Sequence, residues 1–283
     1  LDEQGRVKAI EPYERNAATK MIENFMVAAN ETVAEHFYWL GIPFVYRTHG
    51  VPTEEKMEQL REFVRCYGYR LRWDHGDVHP KELQALLSEL KGKPEEATIS
   101  VMTLRSMQRA MYTTTCGGHF GLALRYYCHF TSPIRRYPDL QIHRIIKEYL
   151  RGRLKEERIQ HYKDILPQVC KHASEMERRA DEAERETDKL KKAEYMTAHI
   201  DEEYDGVISG IMAYGIYVEL ENTVEGLIRA ADIPGDYYVY DEAACEMVGS
   251  HTGNTYRLGD RIHVYVKDVD LQKKTIDFGL HKE

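Results

Sequence analysis

The densest concentration of reactive side chains in this sequence is His129-Phe130-Thr131-Ser132-Pro133-Ile134-Arg135-Arg136-Tyr137-Pro138-Asp139-Leu140, with His143 and Arg144 one turn further on. Two adjacent arginines stand just ahead of Pro138, a residue placed to begin a helix. Cations are unfavourable beside the positive end of a helix dipole unless an anion or a carboxylate joins them. A phosphate there would be gripped by planar guanidinium forks and helix N–H groups. The alternative is a buried ion pair in which Asp139 partners an arginine, and the spacing leaves both open. Charge adds to the case for an anion. Between Tyr112 and Arg151, six cations (Arg125, Arg135, Arg136, Arg144, Lys147, Arg151) face only Asp139 and Glu148, a balance of +4 in a chain of net charge -8, so the remainder carries -12. A basic island in an acidic protein points to a confined anion site rather than a generally adhesive surface.

Other candidates carry less. Tyr214 and Tyr217 could stack on bases, but aromatic pairs on strands are often purely structural. His75, Asp77 and His79 have metal-ligand chemistry, yet as lone residues between helices they read as a polar loop.

These groups need elements to hold them. Ile22, Phe25, Met26, Ala29, Val33, Phe37 and Leu40 repeat with helical spacing, which predicts an amphipathic helix over 14–40 ended by Gly41 and Pro43. Thr53 reads as an N-cap with Glu54 and Glu55 in the first turn, and Pro80 as an early residue of the next helix. A further helix is expected over 95–111, a loop over 113–118, and a helix from Pro138 through Leu150. From Ile159 to Leu190 apolar and small residues alternate three and four apart, with Pro167 expected to kink or restart the run. The small Ala180, Ala183 and Thr187 imply a helix packed inside a domain. From Tyr204 the period becomes two, and five short strands in about 80 residues suit a five-stranded barrel of the oligonucleotide-binding type. The fold class expected is α+β: a mostly helical unit over 1–200 and a β-barrel over 204–283.

The order of three segments resembles the catalytic domain of the ribonuclease II and ribonuclease R (RNB) family. They are Ile22-Glu23 with Phe25-Met26-Val27-Ala28-Ala29-Asn30, then His119 through Arg144, then Met176-Glu177-Arg178-Arg179-Ala180-Asp181-Glu182-Ala183-Glu184-Arg185. Ser132 through Leu140 favours the ribonuclease R branch. Tyr204-Asp205-Gly206-Val207-Ile208, Tyr214-Gly215-Ile216-Tyr217-Val218 and Val224-Glu225-Gly226-Leu227-Ile228-Arg229 resemble the strands of S1 domains. The resemblance implies the C-terminal part of a processive 3′→5′ exoribonuclease that releases nucleoside 5′-monophosphates from single-stranded RNA. By the same resemblance Arg135 acts on a phosphate at or next to the scissile bond, and Glu184 lies close to the cut. Glu23 reads ribose hydroxyls of the terminal nucleotides, and Arg136, Tyr137, His143 and Arg144 line the RNA. Tyr214 and Tyr217 stack on bases, Lys274 is a basic contact, and Arg229 stands where a histidine is more usual. The expectation for the tyrosines is that both lie on one open face, because a bulge near the glycine-bearing strand start rotates the register.

The family cuts with Mg²⁺ held by aspartates spaced Asp-x5-Asp-x-Asp-Asp, and this sequence has no such string. Its ligands are expected upstream of Leu1, with the N-terminal portion of the same enzyme. The chain alone is then expected to bind RNA without cutting it, and the intact enzyme to be a monomer. Rival readings are a non-catalytic RNA-binding protein, or a partner that completes an active site supplied by another chain. Five scattered cysteines without a C-x-x-C pair fit a reducing cytoplasm, and no apolar run is long enough to span a membrane.

Overall fold

The computed structural model describes residues 2–13, 15–72, 78–93, 95–241 and 244–281. Helix α1 (Ala17–Trp39) begins at Asn16, whose Oδ1 accepts the Thr19 N–H at 3.0 Å. Its buried residues are Asn30, Ala34 and Phe37, one face of the C-terminal half. The N-terminal half of the expected apolar stripe is instead exposed, including Ile22, Phe25 and Met26. Thr53 caps α2 (Glu54–Cys66), and Pro80 opens α3 (Pro80–Leu90). Helix α4 (Glu96–Ser106) is shorter than expected, because the chain leaves it to form β2 (Met111–Thr113) against β1 (Tyr46–Thr48). Apolar residues of α2 to α4, among them Met57, Leu60, Phe63, Leu83, Leu86 and Ile99, form a core of their own.

Helix α5 (Tyr137–Leu150) and the first turns of α6 (Glu156–Met196) share a second core, built from Ile142, Ile145, Tyr162, Leu166 and Cys170 with Phe37, Phe44 and Tyr112. At 41 residues α6 is about 60 Å long. Pro167 lies inside it and does not restart it. The proline faces solvent, where water can take the carbonyl it leaves unpaired. The middle of α6 departs from expectation: residues 178–185 are exposed, Ala180 and Ala183 included. Alternating charges and alanines offer nothing large to bury, so the helix bridges two cores and packs into neither there.

The far end of α6 buries Ala193 and Met196 in a third core, that of a closed barrel. Its strands are β3 (Glu203–Met212), β4 (Gly215–Leu220), β5 (Glu225–Arg229), β9 (Arg261–Asp270) and β10 (Thr275–Gly279), in the order β10-β5-β4-β3-β9. Only the β10–β5 seam is parallel. Alternating residues Ile216, Val218, Ile228, Val264, Val266 and Phe278 fill the interior. Gly226 is required there, since a Cβ would stand 2.5 Å from the Phe278 ring. Between β5 and β9 the sequence pattern missed a three-stranded sheet: β6 (Tyr238–Asp241), β7 (Glu246–Gly249) and β8 (Thr255–Arg257). The Thr98 hydroxyl donates to the Leu258 carbonyl at 2.5 Å, and Lys274 pairs with Glu186 at 2.8 Å, fastening the barrel to α4 and α6.

Candidate active site and nucleic-acid interface

The two arginines of the dense motif are used differently. Arg136, ahead of α5, donates through Nε and Nη2 to Asp139 Oδ2 at 3.1 and 2.7 Å. The same oxygen accepts the Ser132 N–H at 2.8 Å. The Asp139 side chain is 0% exposed and that of Arg136 18%, so the alternative of a buried pair is realised by this arginine. Arg135 lies at the end of the 133–135 turn, exposed, and among the described residues it makes no ion pair. The pair thus fixes the turn, and the turn presents the second guanidinium to solvent. Tyr137 is exposed and held by Gln141, whose Nε2 donates to its hydroxyl at 2.6 Å, while the Arg144 guanidinium lies 5.9 Å from its ring centre.

The strand of chain leading into the turn is clamped from three sides. Asn30 of α1 accepts the Phe130 N–H through Oδ1 at 2.9 Å, and the Cys128 thiol donates to the Asn30 carbonyl at 3.2 Å. His143 of α5 donates from Nε2 to the Phe130 carbonyl at 2.9 Å and stacks on the Phe130 ring at 4.4 Å. On the third side, the Tyr112 hydroxyl lies 2.9 Å from His129 Nδ1. Arg47 lies over the Tyr112 ring and donates to Glu177 of α6 at 2.6 Å. Asn30, Arg47, Tyr112 and Glu177 were not singled out as site residues from sequence. Asn30 had a signal: it is the one polar residue on the buried face of α1. Arg47 had none, since its role depends on β1 pairing with a strand some 60 residues later.

Glu184 follows Glu177 by seven residues, hence on the same face of α6 and about 10 Å further along. It is exposed. Glu23 on α1 is bonded through both carboxylate oxygens to Arg15. No hydrogen bond or ion pair among the described residues joins Arg135, Glu184 and Glu23 to one another. Of the histidine–aspartate loop, His75 and Asp77 lie outside the described residues, and His79 caps α3.

Burial, reinforced by the nearby Arg136 and Arg47, pushes His129 down to about 3. Burial and the neighbouring His49 push His119 down to about 4. Both rings therefore stay neutral in the folded chain, and the unfolded chain takes up the protons. Stability is complete above the ordinary histidine value near 6.5 and falls as the pH drops toward 4. Urea midpoints are expected to decline between pH 7.5 and pH 5 by the equivalent of about 2 to 4 kcal/mol; a flat profile would remove these histidines from the account.

On the barrel, Tyr214 and Tyr217 come together. Their hydroxyls are 3.0 Å apart and their rings meet edge to face at 6.2 Å. They share a face for a reason other than the one expected. Tyr214 belongs to the turn joining β3 and β4, not to the strand, so alternation does not govern it. The bulge exists, but on β3, where Ile208 opposes Val218 and Gly210 opposes Tyr217. Tyr217 lies opposite Leu227, which in turn lies opposite Asp277. Arg229 joins this surface and donates to Asp277 at 3.2 and 2.7 Å. Lys274 does not: its ammonium is committed to Glu186 of α6.

An RNB domain matches residues 1–152 and an S1 RNA binding domain matches residues 197–281. Ribonuclease R of Aquifex aeolicus is 46% identical over 283 residues, covering 99% of this chain and 39% of that protein. Ribonuclease R 1 of Lactococcus lactis is 42% identical over 278 residues, covering 98% of this chain and 34% of that protein. The chain thus spans well under half the length of these curated relatives. The solved structure of Mycoplasma genitalium RNase R in complex with ribose methylated single-stranded RNA superposes with a TM-score of 0.91 at 28% identity, over 99% of this chain and 44% of that one. An exposed arginine on a pinned turn, a tyrosine pair on a small closed barrel, and matches along the whole chain agree with one another: the chain belongs to the RNB family, in its ribonuclease R branch, and carries an S1 domain after its RNB-domain residues.

Proposed function

We propose that this chain is part of a processive 3′→5′ exoribonuclease that hydrolyses single-stranded RNA to nucleoside 5′-monophosphates. The observation that carries the reading is the division of labour between two neighbouring arginines, one neutralised by Asp139 and the other left exposed. A guanidinium on so constrained a turn is preorganised for the charge that develops on a scissile phosphate. Glu184 lies near the reacting bond in this reading, and Glu23 contacts ribose hydroxyls once Arg15 releases it. Tyr137, beside the same turn, and Arg144, two turns further along α5, contact the strand near its end. Tyr214, Tyr217 and Arg229 receive bases and phosphates further from the 3′ end. The unit boundary is placed at 200–204, where α6 gives way to β3.

The parent reaction in this reading uses Mg²⁺. Among the described residues no group of three or more His, Cys, Asp or Glu could hold a metal ion. The roles given above require none of these residues to be a metal ligand. The reading assigns the metal ligands to residues of the parent enzyme other than those given roles here, and places the whole in the cytoplasm. None of the described helices is long and apolar enough to cross a membrane.

Purified chain mixed with end-labelled single-stranded RNA and Mg²⁺ is expected to bind the RNA and release no mononucleotides. Tyr217→Ala is expected to weaken that binding by about 1 to 3 kcal/mol without lowering thermal stability. Steady mononucleotide release, tracking the chain through purification, would overturn the division of roles between this chain and the rest of the enzyme. Failure to bind RNA at all would overturn the RNA reading itself.

A further inference from the structure

Five of the six cations of the basic island separate in the structure into two places. Arg135 and Arg136 occupy the start of α5. Arg144, Lys147, Arg151, Arg153 and Arg158 converge with Glu148 on a cleft of about 370 Å³ at the other end of the helix. Arg144, Lys147 and Arg151 are spaced three and four residues apart, so they form one row on the exposed face of α5. The Gly152 turn brings Arg153 alongside, and α6 contributes Arg158. Glu148 is already committed to Arg158, with two bonds of 3.1 and 2.7 Å. Five cations against one carboxylate leave +4 around this cleft, in a chain whose net charge is -8. Among the described residues Arg144, Lys147, Arg151 and Arg153 form no ion pair, although carboxylates outnumber cations in the chain by 47 to 39.

We propose that this cleft is a second phosphate-binding site, distinct from the Arg135 turn and about 20 Å from it along α5. Converging guanidinium forks favour phosphate oxygens, which accept paired N–H bonds. The ligand class is a phosphate ester or inorganic phosphate, supplied either by the backbone of an RNA passing along α5 or by a free nucleotide. The RNA source rests on the function proposed above; the free-phosphate source does not. A structural role alone is also defined: cations at the C-terminal end of α5 stabilise its dipole. That role predicts lower thermal stability on their removal with no change in phosphate affinity.

The test compares the full chain, the R151Q/R153Q variant, and a control of equal charge change on α2, K56Q/R65Q. Inorganic phosphate binding is measured by calorimetry at fixed ionic strength, and single-stranded RNA affinity is measured across a salt series. If the cleft binds free phosphate, R151Q/R153Q weakens phosphate binding about tenfold relative to the control. If it binds the RNA backbone, the salt slope of RNA affinity falls by about 1.4, for two fewer phosphates neutralised. R151K/R153K, which keeps the charge, restores most of that slope. Either change supports the site and identifies its source. Phosphate loss in the cleft variant while no chain binds RNA would uphold the site and remove the RNA reading. If neither phosphate affinity nor salt slope separates the cleft variant from the control, the cleft is not a phosphate site.

Discussion

Replacing Arg135 by alanine in the full-length enzyme is expected to slow single-turnover cleavage of RNA by a factor of about 100 or more, while the dissociation constant changes much less. In the proposed reading, binding is spread over many contacts, including the tyrosine face and the basic row on α5, so one lost cation removes a small share of it. Charge developing on a scissile phosphate meets few groups, and removing one preorganised donor costs about 3 kcal/mol at the transition state. The structure sharpens the expectation. Arg135 is exposed and makes no ion pair among the described residues, so its removal leaves no buried partner orphaned. Unchanged thermal stability should accompany the lost rate. Arg135→Lys is expected to recover only part, because an ammonium lacks the planar fork. Equal falls in rate and affinity would make Arg135 a ground-state grip on RNA and nothing more.

The arginine motif was legible because its meaning is local. Pro138 begins a helix wherever the chain goes, and Asp139 stands one turn from Arg136 in any such helix, so the spacing alone admits the buried pair. The barrel was legible for a similar reason, since alternation across β3, β4, β5, β9 and β10 depends only on which face is buried. Long-range pairings were not. The end of α4 and the strand β2 are decided by β1, and nothing near Met111 encodes that partner. The sheet of β6, β7 and β8 has strands of three or four residues, too short for a period to emerge. In the middle of α6 small residues suggest close packing when the sequence is read alone. Beside so many charges they instead mark a helix with nothing to bury. Lys274 illustrates a different limit: its place on a strand-end turn is readable in the sequence, whereas its pairing with Glu186 of the facing helix is not.

Asp139→Ala is expected to cost about 3 to 5 kcal/mol of stability in the helical unit, the largest effect of any single side chain at this turn. The substitution strips a partly buried guanidinium of its counter-charge and leaves the Ser132 N–H without its acceptor. Asp139 Oδ1 is buried and accepts no hydrogen bond among the described residues, so one of the two carboxylate oxygens carries all three interactions. Asp139→Asn should therefore be milder than alanine, since its carbonyl oxygen can keep those bonds. It should not be neutral, because the counter-charge is gone and an NH₂ must be buried where Oδ1 finds no partner. Replacing both members, Arg136→Met with Asp139→Leu, should recover much of the stability lost in the alanine variant, as buried pairs exchanged for apolar residues often do. It should not recover function, because the turn that aims Arg135 would have lost the bond to Ser132. Urea unfolding followed by far-ultraviolet circular dichroism, with RNA affinity and cleavage measured on folded protein, separates the two properties. A double variant as unstable as Asp139→Ala would mean that the pair is held by its surroundings and not by charge. A double variant with normal cleavage would mean that the turn needs neither residue to present Arg135.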